Sequence, residues 1–248
     1  MAAQETARRR PSQRSHHHPQ PRSRGRPVCA VNAKATGRGS YSWNRPTQGG
    51  CRVSGTLIVV DGPTAVGKTT ACALLAAGLR RLELEVVMAG EPSASPIGDV
   101  LRHEPMGRHD GQILACLSAG DRYRQLNHVV TPALERGAVV VYDSYLPSAF
   151  ALHELAGAAP DFLRTLNRDA LVPDLTVALL ADSSICQARA AVRGDQPHPA
   201  AAFIAQHAVY DAVLYELYES GWTLRSQPAD GTPEEVAAAL LQAVMQLL

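Results

Sequence analysis

Four residues in the sequence have the types and the spacing of a phosphate-binding loop. Gly62, Gly67, Lys68 and Thr69 satisfy the pattern G-x-x-x-x-G-K-[ST]. In such a loop backbone N–H groups surround the phosphates, the lysine reaches the outer phosphates, and the threonine hydroxyl binds Mg²⁺. The pattern therefore predicts a site for ATP and Mg²⁺. Its cofactor-binding residues would be Gly62, Pro63, Thr64, Ala65, Val66, Gly67, Lys68, Thr69 and Thr70.

This loop needs a strand before it and a helix after it, and the sequence offers both. Residues 55–60 are a β-branched run, and residues 71–82 have helical spacing. The positive end of the helix dipole would then face the phosphates. Lys68 is the only lysine after residue 52, so a chance match is a poor explanation, and we predict that Lys68 is catalytic.

The rest of the chain alternates apolar runs with helical patterns. Runs at 85–88, 138–142, 175–180 and 222–226 are predicted strands, and residues 111–136 form the longest predicted helix. A polar loop is expected at 193–199. Alternation of this kind predicts an α/β fold of the P-loop NTPase type, with a five-stranded parallel sheet flanked by helices in three layers.

Phosphoryl transfer also requires a carboxylate beside the metal ion. Asp143 follows the most apolar predicted strand, which is where P-loop proteins carry that acid. The alternative is that Asp143 merely caps the next helix. We favour the metal role, with Thr69 and Asp143 as the predicted metal ligands.

Charge divides the chain into two parts. Residues 1–52 contain ten arginines and Lys34 against the single acid Glu5, whereas the remainder has twelve arginines and Lys68 against twenty-two acids. We expect a disordered basic extension at 1–52 and one kinase domain at 53–248. The extension could be a nucleic-acid-binding arm, a transit peptide or the product of a wrongly assigned start, and we favour the last.

Cysteine usage and hydropathy indicate the compartment. The five cysteines have no CxxC spacing, which is typical of reduced thiols in a cytoplasmic protein. No apolar run is long enough to cross a bilayer, so we expect no membrane association. A nucleic acid partner is not expected, and a homodimer remains open.

Several short motifs, in order, resemble the thymidylate kinase family. They run through nearly all of residues 55–248 and comprise Gly67-Lys68-Thr69-Thr70, Glu91-Pro92, Pro96-Ile97-Gly98, Asp121-Arg122, Pro132-Ala133-Leu134 with Gly137, Asp143-Ser144-Tyr145, and Pro173-Asp174-Leu175-Thr176. The resemblance implies a nucleoside monophosphate kinase fold with a mobile lid that brings arginines over the transferred phosphoryl group. In this chain those catalytic arginines would be Arg189 and Arg193. The acceptor would contact Asp121, Arg122, Ser144 and Tyr145.

The chain departs from the family pattern on the acceptor side. Thr64 stands where the family has an acid that touches the sugar, and Ser144 replaces the arginine that grips the acceptor's phosphate. Ser118 replaces the aromatic residue that stacks on thymine, and Ala149 replaces a polar residue that reads the base. We therefore expect a relative with a different acceptor or with weak activity on dTMP.

Three functions remain open from the sequence. The first is a kinase that moves the γ-phosphoryl group of ATP to a nucleotide, dTMP or a related acceptor. The second is a kinase for a nucleoside or another small hydroxyl compound, in which Glu91 would act as the catalytic base. The third is a regulator that binds a nucleotide without transferring phosphate. The presence of Arg189 and Arg193 argues against this third function.

Overall fold

The computed structural model describes residues 55–103, 110–195 and 197–248. The predicted basic extension lies outside these ranges. Five short strands form the sheet. Their bounds are β1 Thr56–Asp61, β2 Val86–Gly90, β3 Val139–Asp143, β4 Leu175–Leu180 and β5 Leu224–Pro228. Of these, β1, β3 and β4 are runs of buried apolar side chains, whereas β5 is mostly polar.

The strands pair in the order β2-β3-β1-β4-β5, and every pairing is parallel. Val60 of β1 lies opposite Asp143 of β3, which lies opposite Gly90 of β2. Because parallel strands share one direction, their carboxyl ends meet at the same edge of the sheet, where ligands of such folds bind. The phosphate loop, Asp143 and Glu91 are therefore brought side by side.

Helices cover both faces of the sheet, and alternation along the strands explains why. In β1, Leu57 and Val59 face one buried cluster, whereas Ile58 and Val60 face another. The helices are α1 Lys68–Arg81, α2 Pro96–His103, α3 Gly111–Gln125, α4 Thr131–Glu135, α5 Leu146–Leu155, α6 Pro160–Leu166, α7 Ser183–Arg193, α8 Ala200–Glu219 and α9 Pro233–Met245. This arrangement confirms the predicted three-layer fold. None of the described helices is both long and apolar enough to cross a membrane.

The structure differs from the sequence prediction at a few element ends. The long helix predicted at 111–136 is interrupted by a π-helical turn, Leu126–Val130. This turn directly precedes α4, where Pro132 has no N–H to donate to the preceding turn. Strand β5 begins two residues later than predicted.

Candidate active site

The phosphate loop joins β1 to α1 and is tightly built. A Cβ atom on Gly62 would lie 2.7 Å from the carbonyl oxygen of Leu179 and 2.8 Å from Cγ1 of Val66, so no larger residue fits there. Gly67 has φ of 111°, which residues with a side chain rarely adopt. Helix α1 then starts at Lys68. The loop therefore has the close approach and the helix N-terminus that a phosphate site requires.

The side chain of Lys68 folds back over this loop. Its Nζ donates to the carbonyl oxygens of Gly62 and Pro63, at 2.8 and 2.9 Å. Burial lowers the pKa of Lys68, and the carboxylates of Asp61 and Asp143 act in the opposite direction. Lys68 thus places one ammonium group beside the loop, within reach of two acids.

Thr69 and Asp143 form the second part of the site. The Thr69 hydroxyl donates to Oδ2 of Asp143 at 2.6 Å, across 74 residues of sequence. Among the described residues there is no group of three or more His, Cys, Asp or Glu side chains that could hold a metal ion. Two protein oxygens nevertheless fit Mg²⁺, because this ion usually keeps several waters and binds phosphate oxygens alongside one or two protein ligands.

Asp61, the last residue of β1, is wholly buried and organises the site from beneath. Its carboxylate accepts hydrogen bonds from the backbone N–H groups of Gly62, Tyr145 and Ser148, at 2.6, 2.6 and 3.0 Å, and from the Ser148 hydroxyl at 3.1 Å. Burial raises the pKa of Asp61, and the charge of Lys68 opposes this shift. The residue ties the start of the phosphate loop to the segment after β3.

A cavity of about 750 Å³ opens over the loop. Ser144, Arg189, Arg193 and Gly231 are among the residues that line it, together with Thr64–Ala71. Nη1 of Arg189 donates to the carbonyl oxygens of Val66 and Ala229, at 3.0 and 2.8 Å, so it joins the phosphate loop to the segment before α9. Arg193 is exposed and pairs with Asp195. Both predicted lid arginines therefore lie at the cavity.

Two of the predicted acceptor residues, Arg122 and Tyr145, meet at a buried ion pair, whereas Ser144 lines the cavity over the loop. Arg122 is 1% exposed and binds both carboxylate oxygens of Glu91, at 2.7 and 2.5 Å. It also donates to Asn167 and lies over the ring of Tyr145, 5.5 Å from its centroid. The Tyr142 hydroxyl donates to Glu91 at 3.1 Å. Burial raises the pKa of Glu91, and the charge of Arg122 opposes that shift.

Asp121 is also fully buried, one position before Arg122. Its carboxylate accepts a hydrogen bond from the Ser93 backbone N–H at 2.7 Å, another from the Ser93 hydroxyl, and a third from the Ser95 hydroxyl at 2.8 Å. These contacts fix the segment between β2 and α2. In this structure Asp121 and Arg122 therefore shape the acceptor side, and direct contact with a substrate stays a prediction.

Comparison with known proteins decides the family. The family model for thymidylate kinase matches residues 60–237, which include the phosphate loop, Asp143 and both predicted lid arginines. The chain belongs to the thymidylate kinase family. Membership confirms the class predicted from the motifs, an ATP-dependent P-loop phosphotransferase.

Individual relatives agree with this assignment. A probable thymidylate kinase of Pyrobaculum aerophilum is 29% identical over 194 residues, which is 77% of this chain and 97% of that protein. The thymidylate kinase of Xanthomonas campestris pv. campestris is 36% identical over 145 residues, 58% of this chain and 64% of that protein. That of Clavibacter sepedonicus is 40% identical over 146 residues, 55% of this chain and 68% of that protein.

The four departures from the thymidylate kinase pattern lie at three places in the structure. Thr64 is in the phosphate loop, and Ser144 adjoins Asp143, to whose Oδ1 its hydroxyl donates at 3.1 Å. The Ser118 hydroxyl lies 3.3 Å from Nε2 of His153, and both side chains are buried between α3 and α5. Ala149 is buried on α5. Burial lowers the pKa of His153 to about 4, and the charge of Arg122 adds to this effect.

Sequence reasoning missed three residues that shape the site: Asp61, Asn167 and Gln206. Asp61 could have been found, because an acid that ends a β-branched run next to a phosphate loop is unusual in a buried strand. Nothing local distinguishes Asn167 or Gln206. Gln206 lies on α8 and contacts Thr64 in the phosphate loop, 142 positions earlier.

Proposed function

We propose that this protein transfers the γ-phosphoryl group of ATP to a nucleoside monophosphate, dTMP or a related acceptor. The observation that supports this most directly is the cavity over the phosphate loop. It brings Lys68, Thr69, Ser144 and Arg193 together, with Asp143 bonded to Thr69 at its edge. Phosphoryl transfer depends mainly on positioning and on charge stabilisation, and this site offers both.

Each residue has a defined task in this proposal. Backbone N–H groups of the loop and Lys68 hold the donor phosphates and stabilise the charge that develops on the transferred group. Thr69 and Asp143 would hold Mg²⁺, which would neutralise phosphate charge when bound. Arg193 would approach the phosphoryl group from the lid, while Arg189 keeps the loop against the segment before α9.

A kinase for hydroxyl acceptors is the second candidate, and a specific contact favours it. Arg122 is bonded to both oxygens of Glu91, and Ser144 offers no charge, so neither supplies a free cation for an acceptor phosphate. Burial raises the pKa of Glu91, but both of its carboxylate oxygens accept from Arg122, so Glu91 would have to release that arginine before it could act as a general base. A nucleoside could then replace the nucleotide as acceptor.

The deciding experiment is an acceptor screen with ATP and Mg²⁺. Purified full-length protein is incubated with dTMP, other nucleoside monophosphates and the matching nucleosides, and the phosphorylated products are separated and quantified. We expect the best kcat/KM with a monophosphate. Preference for a nucleoside would establish the second candidate, and tight ATP binding without any product would indicate the regulator.

The Lys68→Ala variant tests whether the phosphate loop is the catalytic site. Removal of the ammonium group should abolish transfer, because the developing charge loses its cation, while the fold is kept. Circular dichroism and the melting temperature control for folding. Near-normal turnover by a folded Lys68→Ala protein would contradict this assignment of the catalytic loop.

The cellular compartment and the oligomeric state are also proposals. Cys72, Cys116 and Cys186 are free thiols, and Cys72 and Cys186 are buried, which supports a reducing, cytoplasmic setting. A homodimer is left open by the sequence. Size-exclusion chromatography with light scattering would test it.

A further inference from the structure

Thr64 is held by a side chain that lies 142 positions later in the sequence. Its backbone N–H donates to Oε1 of Gln206 at 3.2 Å, and its hydroxyl oxygen accepts from Nε2 of the same carboxamide at 2.9 Å. Gln206 lies on α8 and is 6% exposed. Two complementary hydrogen bonds to the buried Gln206 side chain therefore fix the position of Thr64 in the phosphate loop.

The orientation of this carboxamide is fixed by chemistry. A backbone N–H can only donate, so the group that faces it must be the amide oxygen and not the NH₂. The NH₂ group must then face the Thr64 hydroxyl, which accepts. Because its oxygen is engaged as an acceptor by Gln206, the hydroxyl hydrogen points elsewhere. Thr64 lines the cavity that also contains Lys68 and Arg193, so this hydrogen is available to a ligand there.

We propose that Thr64 is a specificity-determining residue that donates a hydrogen bond to a phosphate oxygen of the bound nucleotide, and that Gln206 is its positioning residue. This rests on the proposed nucleotide kinase function. A carboxylate at this position could only accept a hydrogen bond and would repel phosphate, whereas a hydroxyl whose oxygen is occupied by an amide donates. Threonine in place of the acid of the family pattern therefore changes position 64 from a hydrogen-bond acceptor to a donor.

Four single variants test the proposal. Thr64→Val keeps the shape but removes the donor, Thr64→Ser restores it, and Gln206→Leu releases the hydroxyl. Gln242→Leu, at an exposed position on α9, is the matched control for a glutamine-to-leucine change. For each we would measure kcat, the KM of ATP, the KM of dTMP and the melting temperature. Titration calorimetry with Mg-ADP measures nucleotide affinity independently of turnover.

Because the lost hydrogen bond is to a charged phosphate, we expect Thr64→Val to weaken the affinity for the contacted nucleotide about tenfold. The affinity of Thr64→Ser for that nucleotide should stay near that of the parent. The affinity of Gln206→Leu should fall about threefold, since the Thr64 hydroxyl can still turn toward the ligand. In the double variant, Gln206→Leu should add nothing to Thr64→Val. A weaker ADP affinity would place the contact on the donor nucleotide, and a raised KM of dTMP alone would place it on the acceptor.

Two results would overturn the proposal. One is a Thr64→Val protein with parental kcat, KM values and ADP affinity. The other is a Gln206→Leu substitution that weakens nucleotide affinity equally in the parent and in the Thr64→Val background, which would mean that Gln206 does not act through the Thr64 hydroxyl. A lower melting temperature with unchanged kinetics would likewise show a structural role only. If the parent phosphorylates no nucleotide, the proposed function fails, and the calorimetric affinities for Mg-ADP and for dTMP still decide whether Thr64 binds phosphate.

Discussion

Ser144→Arg places a cation where the thymidylate kinase pattern has one, and the structure shows that the backbone can accept it. Ser144 has φ of 64° and donates its N–H to the carbonyl oxygen of Val60 at 3.1 Å. Serine and arginine both carry a Cβ atom, so the strain of this left-handed conformation is similar for the two. The substitution removes the 3.1 Å hydrogen bond to Asp143 and adds a long side chain that starts at the wall of the cavity.

The expected gain follows from the strength of one charge-assisted hydrogen bond, about 1.5–3 kcal/mol. This corresponds to an increase in kcat/KM for dTMP of about tenfold to a hundredfold, because 1.4 kcal/mol is a factor of ten. Thymidine has no phosphate to contact, so its kcat/KM should change by less than about threefold. We expect Arg122 not to supply this contact already, because both of its hydrogen bonds to Glu91 would have to break first.

The assay measures kcat/KM for dTMP and thymidine in the parent and in Ser144→Arg, with Ser144→Gln as the uncharged control of intermediate length. A selective gain for dTMP with Ser144→Arg, absent with Ser144→Gln, would support the reasoning. An equal gain for both acceptors, or a parent that already uses dTMP efficiently and gains nothing, would refute it. In that second case Arg122→Ala should be made, because a collapse of dTMP activity in a protein that stays folded and keeps its activity on thymidine would identify Arg122 as the phosphate grip.

Three further predictions concern groups that the structure pairs. Arg122→Met should lower the free energy of unfolding by about 3–5 kcal/mol, because it leaves Glu91 buried without its partner, and adding Glu91→Gln should recover part of the loss in chemical denaturation. Asp143→Asn should lower kcat by at least about tenfold and raise the Mg²⁺ concentration needed for half-maximal rate, with ADP affinity measured as the control. His153 has a pKa lowered to about 4 from 6.5, so the unfolded chain binds its proton first and stability falls as pH drops from 6.5 toward 4. This loss approaches about 3 kcal/mol, and in denaturation curves at pH 7 and pH 4 His153→Gln should show a smaller loss than the parent.

The sequence was sufficient to predict the geometry around the phosphate loop, because the residues that form the loop are close together in the chain. Gly62, Gly67, Lys68 and Thr69 lie within eight consecutive residues, and the β-branched run before them specifies a buried strand. Asp143 was predictable for the same reason, since it ends an apolar run whose parallel pairing places it beside β1. A pattern of this kind constrains geometry directly, and the structure brings Thr69 and Asp143 together as expected.

The acceptor half could not be predicted in this way, because it depends on pairings between distant residues. The side chains of Glu91 and Arg122 are 31 positions apart, and Thr64 and Gln206 are 142 apart. A glutamine on a helix gives no sign in the sequence that it reaches a loop. The π-helical turn before Pro132 was missed for a related reason, since apolar spacing alone does not distinguish it from a continuous α-helix.

The contacts of the arginines indicate which one can move to the transferred phosphoryl group. Arg122 would have to abandon a buried carboxylate, at a cost of about 3–5 kcal/mol. Arg189 would have to leave two backbone carbonyl groups and release the phosphate loop from Ala229. Arg193 pairs with Asp195 at the surface, where the side chain of the arginine is 58% exposed, and such a pair is worth only about 0–1 kcal/mol. Arg193 therefore exchanges its partner for phosphate at the least cost, and we infer that Arg193 is the lid arginine that assists transfer while Arg189 keeps the loop in place.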